Sequence, residues 1–448
     1  MRKTALAIAA AFAFMLSGCL SDPAPPKSND EPVPAAEPTD AVAVVALIDT
    51  GINPYHIDFR DNSSLAFVHP SEYLPGYPGD VAALRLNFTE SSFAAARDKD
   101  KAVWDSVKPN TLYWIPGTKI VGAYTTGGRI VDSGHGTMTA SRAAGNQYSL
   151  CPECRIAAVQ GFNAKAVSWA SQQPWIDAQS NSWSPLVVFQ QADGAQESGL
   201  AKAFEDAAKR HAVFGSAGNG AMGKGGVAGH PSFTRSTSGP RGVMAIGGHD
   251  NGEVILWSGS WPHVVADACN NWAAVGSSVD RYSGSAGGGT SSASPYAAGE
   301  AARLVLEARR ILGDDGTVGV KDGVFARAGP DAAKPTKGPL ADGDLKLSEL
   351  QQVMMKTAVA RPVKTLHDGD NCGATGTPYT TYPVAWKDVP ANVPAYYLIG
   401  YGQISVQSVA KAVDVLSGAT DMPSRPADDE WHARAEMLRN AYNSLPRT

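Results

Sequence analysis

Long apolar stretches are scarce in this 448-residue chain: beyond residues 5–16, no segment is long and apolar enough to be a membrane helix. Basic runs are missing as well. With 38 Lys and Arg against 43 Asp and Glu the formal net charge is −5, which gives no electrostatic reason to expect nucleic-acid binding. No internal repeat and no heptad pattern is evident, so solenoids and coiled coils are set aside. Cysteines number only five, and charged residues make up 18% of the chain. What remains is the composition of an ordinary globular protein, 43% apolar, with 46 Gly and 30 Pro for turns and long loops. This length accommodates two or three average domains or one large α/β domain.

The first forty residues stand apart from the fold. Arg2 and Lys3 precede the apolar run from Ala5 to Leu16, which ends in Leu16-Ser17-Gly18-Cys19. A basic end, a short apolar core and small residues make a secretory signal, too short to span a bilayer comfortably. The Leu-Ser-Gly-Cys ending resembles the lipobox of bacterial-type lipoproteins. That resemblance implies a lipidated Cys19 as the mature N-terminus, and hence an exported protein anchored to a membrane of the cell envelope. Residues 20–40 hold six prolines among small and acidic residues. They read as an extended tether that reaches up to about 60 Å. Four cysteines remain after processing: Cys151, Cys154, Cys269 and Cys372. An even number in an exported chain reads as disulfides.

From residue 41 onward the pattern alternates. "AVAVVALIDTGIN" (41–53) is a continuous apolar run ending in Asp-Thr-Gly, the mark of a buried parallel strand followed by a tight turn. A stretch over 60–116 with little periodicity reads as an insertion. "KIVGAYT", "CRIAAVQGF", the region before "SNSW", "HAVFGSAGNG" and "GVMAIGGHD" contain further strands. Helices are expected from "GHGTMTASRAAGN", closed by Gly145-Asn146, and in "SGLAKAFEDAAKR". "LSELQQVMMKTA" opens with Ser348 and Gln351 in capping-box spacing. An amphipathic helix is expected over 429–445, within a tail that begins at 417. Alternating strands and helices imply an α/β fold, a mostly parallel central sheet covered by helices on both faces.

Chemistry enters with "GGGTSSASPYAAGEAARLVLEARR" (287–310), three serines ahead of an alanine-rich helix. Such serines commonly cap helices. Proline is tolerated in a first helical turn, so Pro295 sets the helix start near 290–294. Ser291 then sits where the helix dipole and unpaired N–H groups favour negative charge. Asp49 lies at the carboxyl end of its strand, where ligands bind in such sheets. His135 lies between two glycines at a helix start, and Asn219 follows "FGSAG". Read singly, these are a turn Asp, a surface His and a turn Asn. Together they supply a carboxylate, a base, an amide donor and a hydroxyl. A serine hydroxyl needs an imidazole to take its proton, the imidazole needs a carboxylate to hold its tautomer, and the oxyanion needs donors.

Over residues 41–416 the chain resembles the subtilases, the subtilisin-like serine proteases. "VALIDTGI" is similar to the family's Asp motif, "GHGT" to its His motif, "SAGNG" to its oxyanion-Asn motif and "GTSSASP" to its Ser motif, in the family's order. The resemblance implies a subtilisin-like three-layer fold, with Asp49 as orienting acid, His135 as base and acid, Ser291 as nucleophile and Asn219 as oxyanion donor. Ser292 and Ser294 fall on non-catalytic motif positions. Ser182, Trp183 and Ser184 would form the strand that pairs with substrate backbone, and Gly218 would line the pocket beside it. Ser184 stands where compact relatives usually have glycine, which implies a shortened pocket and a preference for small to medium apolar side chains. "GYGQISVQSVAKAV" resembles the strand and helix that close the domain. Against this family, Cys151 and Cys154 are expected to clamp the turn where some relatives bind calcium, leaving Cys269 to pair with Cys372.

Several features depart from the family. Asp49 and His135 are 86 positions apart (135 − 49), farther than in compact members, which implies an added lobe over 60–116. The 21-residue tether is too short for the folding-assisting propeptide many secreted relatives carry. "QYSLCPEC" is shorter than the family's calcium loop. His367, Asp368, Asp370 and Cys372 match no zinc spacing, and "DGD" at 342–344 lacks the later EF-hand ligands. No metal or cofactor is therefore expected, and the expected partners are protein or peptide substrates. One rival reading is an inactive subtilase-fold binding or adhesion module, against which all four catalytic positions are filled. An α/β-hydrolase esterase is excluded, since no G-x-S-x-G elbow surrounds Ser291. Cell fractionation tests the anchor: wild type should partition with membranes and Cys19→Ala should not. A wild type wholly soluble in its native host would contradict it.

Overall fold

The computed structural model describes residues 41–183, 194–219, 242–250, 253–255, 262–269, 271–314, 319–330, 332–359, 365–367, 376–378 and 400–424. The signal peptide with Cys19, the tether, Ser184, Asp368, Asp370, Cys372 and the helix expected over 429–445 lie outside the described residues.

Strands β1 (Val44–Asp49), β2 (Ala82–Ala83), β3 (Leu112–Trp114), β4 (Ile120–Thr125), β5 (Arg155–Gln160), β6 (Ala178–Asn181), β7 (Ala212–Ser216) and β8 (Val243–Asp250) come first. After β9 (Glu253–Ile255) and β10 (Val264–Asp267) the chain forms two antiparallel pairs, β11 (Asn271–Ala274) with β12 (Tyr282–Gly287) and β13 (Val324–Arg327) with β14 (Asp344–Lys346). Strands β15 (Thr365–His367) and β16 (Gly376–Pro378) complete the described set. The central sheet runs β16-β15-β9-β8-β7-β6-β1-β5-β4-β3-β2, with β10 alongside β8. From β4 through β5, β1, β6 and β7 to β8 every neighbouring pair is parallel. Among the described residues of this sheet, the antiparallel pairs are β3–β4, β8–β9 and β15–β16.

Among the described residues the α-helices are α1 (Phe93–Lys99), α2 (Lys101–Asp105), α3 (His135–Ala144), α4 (Ala164–Ser171), α5 (Gly194–Ala207), α6 (Thr290–Leu312), α7 (Leu347–Thr357) and α8 (Val406–Leu416). All six residues of β1 are buried because both sheet faces are covered. Side chains alternate across a strand. Val45 and Leu47 join one core with Ala140 of α3, Ala297 and Leu304 of α6 and Val353 of α7. Val44, Ala46 and Ile48 join another with Ala166 and Val167 of α4 and Phe204 of α5. This is the three-layer α/β arrangement the sequence implies.

Helix α6 is the central rod. Far from its N-terminus, the Arg309 guanidinium donates to the Val42 carbonyl and, at 2.6 Å, to Asp177 Oδ1, whose other oxygen accepts the Val44 N–H. Burial pushes the Asp177 carboxyl above its ordinary value, and the Arg309 charge works against that. Breaking such a buried pair from one side typically costs about 3–5 kcal/mol. The helix starts at Thr290, within the window set by Pro295, yet Pro295 lies in its second turn rather than its first. Lacking an N–H, it leaves the Ser291 carbonyl without its usual helical donor.

The 60–116 stretch holds α1, α2 and the last two strands on one side of the sheet, β3 and the edge strand β2, and Leu84, Tyr113 and Ile115 enter the main core. It is stitched to the loop after β1, where Tyr55 donates to Asp100 Oδ2 (2.9 Å) and accepts from Trp104 Nε1 (2.8 Å). Cys151 and Cys154 form a disulfide with Cα atoms 5.3 Å apart. Lys119, wholly buried, donates to the Pro152 carbonyl of that turn and to Ala144 at the end of α3, and burial pulls its pKa down to about 7. Cys269 is buried and disulfide-bonded.

Two local expectations need correction, on the cap of α7 and the strand in "GYGQI". Helix α7 is capped from Lys346, whose N–H donates to Glu349 Oε2 at 2.8 Å, so Ser348 and Gln351 are inside the helix and make no capping box. Gly145 closes α3 as expected, in extended backbone (φ −63°), and a side chain there would strike the Asp58 carboxylate and the Ser141 carbonyl. "GYGQI" forms no strand but single bridges of Gln403 to Val265 and Val359, and α8 follows it.

Glu300, buried in α6, accepts one hydrogen bond from Ser408 Oγ (3.0 Å) while Oε2 has no partner among the described residues. Burial pushes its carboxyl up to about 8. A carboxyl raised on folding binds its proton more tightly in the native state, so stability falls as pH rises from the ordinary value of 4.5 toward 8. Glu300→Gln should remove that fall, gaining on wild type across this window in urea unfolding at stepped pH. Parallel pH profiles for the two proteins would refute it.

Candidate active site

Parallel strands place their carboxyl ends on one edge of the sheet, and Asp49 ends β1 there with 2% exposure. Asp49 Oδ1 accepts the Thr50 N–H at 2.7 Å. The loop returning past this edge pairs with Ile52 through Ile130 and Asp132, which delivers His135 as the first residue of α3. His135 Nδ1 lies 2.9 Å from Asp49 Oδ1 and 3.0 Å from Oδ2. Because the carboxylate accepts a hydrogen bond from Nδ1–H, the neutral ring carries its lone pair on Nε2, the state a general base requires. Burial lowers the pKa of His135, but the hydrogen bond and charge of Asp49 outweigh it, and the net shift is upward. Thr139 Oγ1 is 3.2 Å from Asp49 Oδ2.

Ser291 is the second residue of α6 and is half-buried. Helices α3 and α6 touch directly at Ala143 and Gly299, each eight residues beyond His135 and Ser291 respectively. At 1.5 Å per residue that contact lies about 12 Å along each axis, so the two N-termini share one end of the layer. Arg142 stacks over Tyr296 at 4.2 Å in the same seam. Ser291 Oγ donates to the Ser182 carbonyl at 3.1 Å, and no hydrogen bond joins it to His135. Nucleophile–base contacts are often long before substrate binds and tighten in the complex.

Asn219, exposed after β7, is fixed by its oxygen. Oδ1 accepts the Thr290 N–H (2.9 Å) and hydroxyl (2.7 Å), while Thr290 Oγ1 accepts the Gly218 N–H at 3.1 Å. Its Nδ2 has no acceptor among the described residues, which leaves an amide donor one residue from Ser291. Ser182 and Trp183 follow β6 and are nearly buried. The Trp183 ring packs against Phe204 (5.9 Å) and Phe162 (5.6 Å).

The structure thus joins Asp49 to His135, Ser291 to Ser182, and Asn219 and Gly218 to Thr290. Three residues at this site escaped the sequence reading. Thr139 stands four positions after His135, on the same helix face, and that spacing was a usable signal. Phe162, 42% exposed two residues past β5, is a large apolar side chain at the ligand-binding edge. Thr290 was hidden among the glycines and serines of its motif. A cleft of about 420 Å³ opens between α1–α2 and residues 128–133, the segment that leads into α3, and none of Asp49, His135, Asn219 or Ser291 lines it. Among the described residues no three His, Cys, Asp or Glu are grouped to hold a metal ion.

Residues 40–374 match the model of the subtilase family. No curated protein matches the chain. Among solved structures, the epidermin leader peptide processing serine protease of Staphylococcus aureus is 14% identical, with 86% of this chain and 77% of that one covered, at a TM-score of 0.46. The protease domain of PatA is 15% identical, with 85% and 96% covered, at 0.43. A lanthipeptide protease is 14% identical, with 83% and 89% covered, at 0.42.

Proposed function

Since the chain belongs to the subtilase family and is a subtilisin-like serine peptidase, we propose that it is an endopeptidase whose Ser291, His135 and Asp49 form the catalytic triad, with Asn219 as oxyanion donor. The observation that carries this reading is the Asp49–His135 hydrogen bond of 2.9 Å at the end of the layer where Ser291 heads α6.

Substrate backbone pairs with the segment Ser182–Ser184 and with Gly218, and a substrate N–H takes the Ser182 carbonyl. That displaces the Ser291 hydroxyl, which turns to His135 Nε2. His135 removes its proton as Oγ attacks the scissile carbonyl, and Asp49 steadies the imidazolium that forms. The oxyanion receives Asn219 Nδ2–H and the Ser291 backbone N–H at the helix N-terminus. His135 then gives its proton to the leaving amine, and water repeats the sequence on the acyl-enzyme. The lipid at Cys19 and the tether of residues 20–40 hold this domain at the cell envelope, where protein or peptide substrates reach it.

Kinetics of variants test the assignment. Ser291→Ala and His135→Ala should each remove nearly all activity with the fold intact, and the double variant should be little worse, because the residues act as a unit. Asn219→Ala should lower kcat by about 10²–10³, the usual loss for one oxyanion donor, with KM little changed. Single-variant losses that multiply, or an Asn219 effect confined to KM, would refute these roles.

A further inference from the structure

We propose that Thr139 is a positioning residue for the Asp49–His135 couple, its hydroxyl holding the second carboxylate oxygen of Asp49 and restraining the basicity of His135. Thr139 sits one turn into α3, directly behind His135, and is 1% exposed. Its Oγ1 lies 3.2 Å from Asp49 Oδ2 and 3.0 Å from the Gly136 carbonyl oxygen. The hydroxyl has one hydrogen for two acceptors. Gly136 is in the first turn of α3, so its carbonyl is served by the helical N–H four residues on. The carboxylate is the stronger claimant, since hydrogen bonds to an ionised acceptor are roughly twice as strong as neutral ones.

The two oxygens of Asp49 are unequally provided for. Oδ1 takes the Thr50 N–H at 2.7 Å and the shorter contact of His135 Nδ1. Oδ2 has the longer His135 contact, 3.0 Å, and Thr139. Without the hydroxyl, Oδ2 would be a 2%-exposed residue's carboxylate oxygen with only the imidazole to neutralise it. Each donor spreads carboxylate charge and weakens its pull on the imidazolium proton. Loss of the Thr139 donor therefore raises the proton affinity of His135 and leaves less neutral base near pH 7. Among the surrounding elements, β5 ends in Gln160, β6 in Asn181, and α6 presents Thr290 and Ser291, all uncharged. The ionisable neighbour is Asp132, before α3, whose Oδ2 lies against Gly134, and it is left unaltered by the substitution.

The test follows the His135 ring by NMR across a pH series in Thr139→Val, which keeps the shape and drops the donor, and in Thr139→Ser, which keeps the donor and drops a methyl. The Val midpoint should move to higher pH and the Ser midpoint should stay with wild type. Thr139→Ala, a second variant without the hydroxyl, takes the place of Val if that protein does not fold. In parallel, kcat at neutral pH should fall roughly 3- to 10-fold in the variants without the hydroxyl, with KM unchanged. A midpoint unmoved in Val, or moved equally in Val and Ser, overturns the proposal. Only the rate arm rests on His135 being the catalytic base: a shifted titration with an unchanged pH–rate profile supports Thr139 and contradicts that base.

Discussion

A side chain on Gly299 would run into the Ala143 carbonyl oxygen, so α3 and α6 meet backbone to backbone with nothing between them. Much of the site depends on that contact. Two helices held so closely, side by side against one face of a parallel sheet, bring their N-termini to the edge where β1 ends. An imidazole from one and a hydroxyl from the other then head neighbouring helices, although 156 positions (291 − 135) separate them in sequence. The buried Arg309–Asp177 pair secures the far end of α6 to the start of β1, so the helix carrying Ser291 is tied to the strand carrying Asp49.

Electrostatically the site centres on one nearly buried carboxylate. Asp49 gathers donors from its own turn (Thr50), from the first residue of α3 (His135) and from the next turn of the same helix (Thr139). A carboxylate met by fixed donors costs little to keep ionised in a desolvated place and is held in one orientation. At the other end of the site, Thr290 does for Asn219 what Asp49 does for His135. By occupying the amide oxygen, it leaves the nitrogen as the outward donor.

Much of this was legible in the sequence, for physical reasons. The run "VVALID" could be read because a strand buried on both faces tolerates only apolar residues until it reaches the edge. Pro295 located the start of α6, and the motif order located Asp49, His135, Asn219 and Ser291 on strand ends and helix starts. Other features were not legible because tertiary contacts decide them. That Gly145 closes α3 could be read, but not that a side chain there is barred by Asp58, which arrives from elsewhere. The cap of α7 comes from Lys346 and Glu349, two residues before the Ser348 and Gln351 spacing. The 60–116 stretch shows little periodicity because its helices are short and its two strands, two and three residues long, are brief. Its attachment through Tyr55, Asp100 and Trp104 could not be read from spacing.

The central claim is that one hydroxyl among several serines is activated by its place beside His135. A fluorophosphonate probe reacts only with such a hydroxyl, and digestion with mass mapping of the adduct locates it. Labelling confined to Ser291, and lost in His135→Ala, is the result this account predicts. An adduct on Ser182, Ser292 or Ser294, or no adduct on the folded protein, would contradict it.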